Sequence, residues 1–173
     1  MALRNNVTTL MILLLNGAFG IGKTTVARLV VRRLRRGVLF DPELIGMALH
    51  RFARLFGRDV DDFQDLRLWR RLTILGLRIT RLFTPNIVVP MAISNAGYLE
   101  EIRRGLGPDV VHVCLVAPLE IVHERLRNRG GAHEWEFRRA SECCDVHRGE
   151  AFARQIDAAH RSAEDIADEI SGL

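Results

Sequence analysis

Lysine is all but missing from this chain. The 173 residues carry 25 basic side chains, and every one except Lys23 is arginine. Tyrosine occurs once and aromatic residues make up only 6%, so no aromatics interleave the arginines to form a base-stacking platform. Nucleic acid is therefore not expected as a partner, despite the formal net charge of +4. Cysteine is sparse too. Cys114, Cys143 and Cys144 make an odd count with two members adjacent, which excludes a disulfide framework and fits a reducing, cytoplasmic compartment. The longest apolar run, Leu10 to Leu15, is far too short to cross a bilayer and has no small-residue cleavage site. The six histidines follow no metal-ligand spacing.

What is present is ordinary for a globular protein: 48% apolar and 27% charged residues. No linker or repeat divides the chain, so residues 1–173 are expected to form a single domain. Short apolar runs alternate with amphipathic stretches. Strands are predicted at Leu10–Leu15, Val38–Phe40, Ile87–Met91 and Val110–Val116, with a weaker fifth over 153–157. Helices are predicted over about 23–36, 43–56, 65–83, 98–106, 118–129, 134–147 and 163–170. Strand–helix alternation of this kind gives an α/β fold, a three-layer sandwich with a five-stranded parallel sheet covered on both faces.

The solitary lysine ends Gly17-Ala18-Phe19-Gly20-Ile21-Gly22-Lys23-Thr24. In a G-x-x-x-x-G-K-[ST] loop, backbone N–H groups of Gly17 to Thr25 line a nest for phosphate oxygens. A compact ammonium folds back to the β- and γ-phosphates, and the Thr24 hydroxyl is placed for Mg²⁺. A planar guanidinium is too wide for that position. ATP with Mg²⁺ is the expected ligand pair. No second lysine exists to build the base-reading motif of a GTPase, and neither Ile87–Met91 nor Val110–Val116 ends in an acid as a motor ATPase would need. A compact small-molecule kinase remains.

Three further features fit such an enzyme. Asp41 follows the second strand, where a carboxylate can take a proton from a substrate hydroxyl or orient the metal; Asp-Pro-Glu is also a good helix N-cap. Arg125 and Arg129, one helical turn apart before Gly130-Gly131, are spaced to stack on adenine and to reach the transferring phosphoryl group. Residues 125–147 would then form a lid. Finally, on a helical wheel Arg67, Arg70, Arg71, Arg78 and Arg81 fall on one stripe, with Leu68, Leu72, Leu75, Ile79 and Leu82 opposite. Arg70, beside Trp69, is the member expected to meet substrate.

Four segments together resemble the tunicamycin-resistance proteins, small bacterial P-loop proteins: Leu15 to Thr24; Phe40-Asp41-Pro42-Glu43 with Gly46-Met47-Ala48-Leu49; Asp61-Asp62-Phe63-Gln64 with Leu68-Trp69-Arg70; and Ile87 to Met91. Beyond Met91 the likeness thins to Arg125–Arg129 and the last helix. The resemblance implies an ATP-binding protein that protects against a lipid-tailed nucleoside antibiotic, by analogy through phosphorylation of a hydroxyl on it or on a related sugar. It carries over Gly17 to Thr24 as phosphate loop, Asp41 as candidate base, and Asp62, Gln64, Trp69 and Arg70 as the acceptor pocket; with the loop and lid readings above, Lys23, Asp41 and Arg129 are the expected catalytic groups. His50 departs from the family pattern at one edge of that pocket. The chain stops at Leu173 directly after the last helix, so no amphipathic tail is expected to hold it to a membrane.

Overall fold

Leu13, Leu14 and Leu15 are wholly buried, because β1 (Met11–Gly17) sits in the middle of the sheet with helices on both sides. The computed structural model describes residues 11–55, 62–152 and 154–173. Leu10, Phe56, Asp59 to Asp61 and Ala153, which the sequence places in elements, in the acidic run or in the Asp-Phe-Gln segment, lie outside them. The sheet continues with β2 (Gly37–Leu39), β3 (Asn86–Met91), β4 (Val110–Val116) and β5 (Gln155–Asp157), in the order β2-β3-β1-β4-β5. All four pairings are parallel, as the strand–helix alternation predicts.

Side chains of β1 alternate between two cores. Leu13 and Leu15 pack with Val26, Val30, Val113 and Ile166, whereas Ile12 and Leu14 pack with Trp69, Leu77, Leu99 and Ile102. Each fully buried leucine contributes about 1.5–3 kcal/mol of burial. The first core is covered by α1 (Lys23–Arg33), α5 (Leu119–Arg129), α6 (Glu134–Val146) and α7 (Ala163–Ser171). The second is covered by α2 (Pro42–Leu55), α3 (Arg67–Arg81) and α4 (Ala96–Leu106). Pro90 is tolerated in β3 because β2 pairs only as far as Val88. Its missing N–H lies on the β2 side beyond that last pair, so no ladder bond is lost.

Because β1 lies between β3 and β4, the chain changes direction along the sheet at β1. In parallel α/β folds the crevice at such a switch, outside the carboxyl ends of the strands, is where ligands sit.

The region of α3 differs from the wheel reading. A 3₁₀ turn, Phe63–Asp65, precedes α3, with the Asp62 carboxylate accepting from the Gln64 N–H at 2.9 Å. The helix then rests on the body through Trp69, Arg70, Thr73 and Leu77. The leucine stripe opposite the arginines is not core: Leu68, Leu75, Ile79 and Leu82 are 49–80% exposed. Trp69 overrides the stripe, since its indole N–H donates to Pro42 O at 2.9 Å and its ring packs on Phe63. Among the described residues, no helix is long and apolar enough to cross a membrane.

Candidate functional site

The glycine loop is pinned from below. Ala18 and Ile21 are 1% and 3% exposed. Asn16, at the end of β1, accepts from the Ile93 N–H at 2.9 Å and donates to Ile93 O at 3.0 Å, tying the loop's entry to the exit of β3. His147 completes this knot, with Nε2 lying 2.7 Å from Ile93 O. Gly20 adopts φ +81, and a Cβ there would come within 2.6 Å of Leu126, so both conformation and packing demand glycine. Gly22 is different: φ is +105, but a Cβ would meet nothing within 4 Å. It faces open space at the mouth of α1, a helix with no side-chain cap. The unbonded first-turn N–H groups and the positive end of the helix dipole therefore point at whatever fills that space.

Lys23 is brought inside this mouth. It is 8% exposed; its Nζ donates to Ala18 O at 2.9 Å and lies 5.1 Å from the centre of the Phe19 ring. Burial lowers its pKa, against the opposing pull of the Glu43 carboxylate. Burial likewise raises the Glu43 carboxyl, with Lys23 acting to lower it. The two face each other across a cleft of about 380 Å³. Phe19, Gly20, Gly22, Lys23, Thr24 and Thr25 line its loop side; Asp41, Glu43 and Pro90 close the sheet end; Arg129 and Glu136 form the far wall.

The cleft thus gathers Lys23, Thr24, Asp41 and Arg129, four residues the sequence singled out. Asp41 Oδ1 accepts the Glu43 N–H at 2.9 Å, so it caps α2 as well as facing the cleft. Sequence reasoning passed over Glu43 and Glu136. The signal for Glu43 was its place two residues after Asp41, just inside a helix start. Glu136 was legible as the third residue after His133 at a helix start, and a reciprocal capping box is what forms there. Glu136 also binds the Arg129 guanidinium. Partial burial works against its ionisation, but hydrogen bonds from Arg129 and the His133 N–H outweigh this and hold its carboxyl below the ordinary range.

Arg125 lies on the other side of the loop. Its guanidinium donates to Ile21 O, Ala158 O and Ala159 O at 2.8–3.2 Å. It lines a separate hollow of about 220 Å³, together with Gly22, Thr25, Ala158 and Arg161. The side chain is thereby fixed against the loop backbone, with the hollow beside it.

The remaining predicted residues cluster behind the cleft without lining it. Asp62 pairs with Arg139 of α6 at 2.8 Å, and Arg139 also reaches Glu142 and the Ser94 hydroxyl. Burial raises the Asp62 carboxyl, while the Gln64 N–H and Arg139 act to lower it. Gln64 is buried and donates to Ala92 O. Arg70 is 4% exposed; it donates to Glu101 and to Gln64 O and lies 4.0 Å from the centre of the Tyr98 ring. Trp69, at 1% exposure, offers no surface to a ligand. It is a strut between α2 and α3 rather than the pocket wall that the resemblance implies. A larger hollow of about 700 Å³ opens between α4 and the start of β4, around Arg103, His112 and Arg154. It lies at the opposite end of the sheet from the glycine loop, whose residues line the 380 Å³ cleft instead.

The tunicamycin resistance protein of Deinococcus radiodurans superposes on this chain with a TM-score of 0.78 and 31% identity, over 94% of each chain. The chain belongs to the tunicamycin resistance protein family. Beyond the family, a sugar kinase from Janibacter shares the fold at TM-score 0.72 and 17% identity, over 92% of this chain and 91% of that one. A gluconokinase from Sinorhizobium meliloti does so at 0.64 and 17%, over 95% and 91%. A shikimate kinase from Acinetobacter baumannii does so at 0.59 and 20%, over 94% and 92%. These three establish the P-loop kinase-like architecture of this tunicamycin resistance family member. No protein-family model matches the chain, and no curated protein does.

Proposed function

We propose that this protein is an ATP-dependent phosphotransferase that modifies a hydroxyl of tunicamycin or of a related nucleoside or sugar. One observation carries the reading: a single cleft brings the glycine loop and Lys23 to face two carboxylates, Asp41 and Glu43, with Arg129 on the far wall. That combination suits phosphoryl transfer, which asks mainly for positioning and neutralisation of charge.

The triphosphate fits the open, uncapped mouth of α1, where Gly22 leaves room and backbone N–H groups are free to bind oxygens. The Lys23 ammonium would exchange Ala18 O for phosphate oxygens. Thr24, with Asp41 through water, would hold Mg²⁺, whose charge offsets that of the β- and γ-phosphates. On the acceptor side, Asp41 or Glu43 takes the proton of the attacking hydroxyl. Glu43 suits that task because burial keeps its carboxyl basic. Arg129 leaves Glu136 for the transferring group, and Arg125 borders the hollow where the adenine would lie. Residues 125–147 act as the lid, with Trp135 of α6 resting edge-on against Phe19 of the loop. Asp62, Gln64 and Arg70 act through the backbone at the end of β3 and position the acceptor site.

The test is to incubate the protein with MgATP and tunicamycin and look for a phosphorylated product by mass spectrometry. An unmodified antibiotic held tightly by the protein would refute the phosphotransferase reading. It would favour a second one, in which the protein sequesters the drug and ATP only sets its conformation. The want of an acid at the ends of β3 and β4 supports that alternative.

A further inference from the structure

We propose that α3 and the turn that follows it dock this protein onto an anionic phospholipid surface. Leu82 and Phe83 are the start of the evidence, at 80% and 73% exposed. They form an apolar knob in the turn between α3 and β3, at the opposite end of the sheet from the nucleotide cleft. Leu75 and Ile79, 53% and 49% exposed, extend the knob up the outer face of the helix. At about 100° per residue these side chains share one stripe, while Trp69, Thr73 and Leu77 hold the helix to the body through another. An apolar stripe of this size is seldom left to water.

The charges around it select the occupant. From Arg67 to Arg81 the helix has five arginines and no acid. Arg71 and Arg78 are exposed and lie one turn from Leu75 and Leu82, along one border of the stripe. The turn between α1 and β2 adds exposed Arg35 and Arg36 at the knob itself: Arg36 donates to Phe83 O at 3.2 Å, and Arg35 O accepts from Asn86 at 2.9 Å. An apolar wedge bordered by guanidiniums matches a bilayer interface, where leucine and phenylalanine enter the acyl boundary and arginine meets lipid phosphate. A second copy matches poorly. An isologous contact would set this basic border against its own kind, with no acid on α3 to compensate. Docked by this end, the protein holds its nucleotide cleft away from the lipid.

The experiment is co-sedimentation with vesicles of phosphatidylcholine alone and with phosphatidylglycerol added. The expected result is binding to the anionic vesicles only, weakened by high salt. Leu82→Asp with Phe83→Asp should abolish it. Arg35→Gln with Arg71→Gln, at exposed positions the fold does not need, should lower the partition coefficient about tenfold or more. Circular dichroism and ATP binding check that each variant is folded. No binding to anionic vesicles, or equal binding by the arginine variant, would overturn the proposal. So would a wild-type dimer that the Leu82/Phe83 variant turns into a monomer, since the face would then belong to a second copy.

Discussion

Acid should loosen this fold through two buried imidazoles, His147 and His112. His147 is 2% exposed; Nε2 faces Ile93 O and so carries the proton, leaving Nδ1 buried without a partner among the described residues. Protonation would create a buried N–H with nothing to accept it. Burial, assisted by Lys23 and Arg139 and opposed by the Ile93 bond, pushes His147 down to about 4. Burial, with Arg103 and His147, does the same to His112. Both values are lowered on folding, so between pH 6.5 and 4 the unfolded chain binds more protons than the folded one. Their stabilisation is complete above about pH 6.5 and drains as the pH falls towards 4. From pH 7 to 4.5 each ring accounts for a loss of about 2 kcal/mol, against a total stability of about 5–15 kcal/mol for a domain. Glu43 and Asp62, whose carboxyls are raised on folding, act in the opposite sense, so the informative quantity is a difference between variants. Urea unfolding of wild type, His147→Gln and His112→Gln at pH 7 and pH 4.5 measures it. Each variant should lose about 2 kcal/mol less than wild type over that interval. If both variants lose as much as wild type, the two imidazoles are not the acid-sensitive groups.

Lys23→Ala should abolish ATP affinity in calorimetry while leaving the thermal midpoint near wild type; an unaltered affinity would remove the phosphate-loop reading. Gly20→Ala should cost about 1–3 kcal/mol of stability by overpacking, because the new Cβ would press on Leu126 at a left-handed φ; urea midpoints measure it. Trp69→Phe removes the bond to Pro42 O and should cost about 1–2 kcal/mol, and it should change kcat little if Trp69 is only a strut. Glu136→Gln removes the charge that holds Arg129 and should tighten ATP binding several-fold in the same calorimetric assay. Unchanged or weaker binding would show that Arg129 is not drawn towards the phosphates.

The sheet and the glycine loop were legible because their signals are local. A six-residue apolar run that ends in Gly-x-x-x-x-Gly-Lys-Thr has few ways to fold, and β1 with α1 is the result. The five parallel strands followed from alternation alone, although β5 is only three residues long and barely distinguishable from loop by its pattern. Asp41, singled out by its place after a strand, and Arg129, singled out by helical spacing, both line the cleft. The α3 face was not legible, since wheel periodicity identifies an amphipathic helix but not which of its faces a neighbour will claim. Here one hydrogen bond, from Trp69 to Pro42, and one half-buried ion pair, Arg70 to Glu101, turn the helix against its leucine stripe. Both partners are distant in sequence, and no period reports them.

The arginines give the same lesson in electrostatic form. An arginine stripe on a helix reads as a set of equivalent cations, yet the fold gives its members unequal work. Arg70 is buried against Glu101 and a tyrosine ring, Arg81 meets Asp109, and Arg78 reaches Gly105 O. Lys23, by contrast, has no carboxylate in hydrogen-bonding contact among the described residues; there its ammonium holds a carbonyl and an aromatic face. Both are weaker partners than a triphosphate, so the ammonium can be exchanged without breaking an ion pair. The lone lysine is thus available to a ligand where the buried Arg70 and Arg139 are committed to the fold. That difference in commitment, more than the count of basic residues, is what makes Lys23 the candidate for phosphate binding in the proposed reaction.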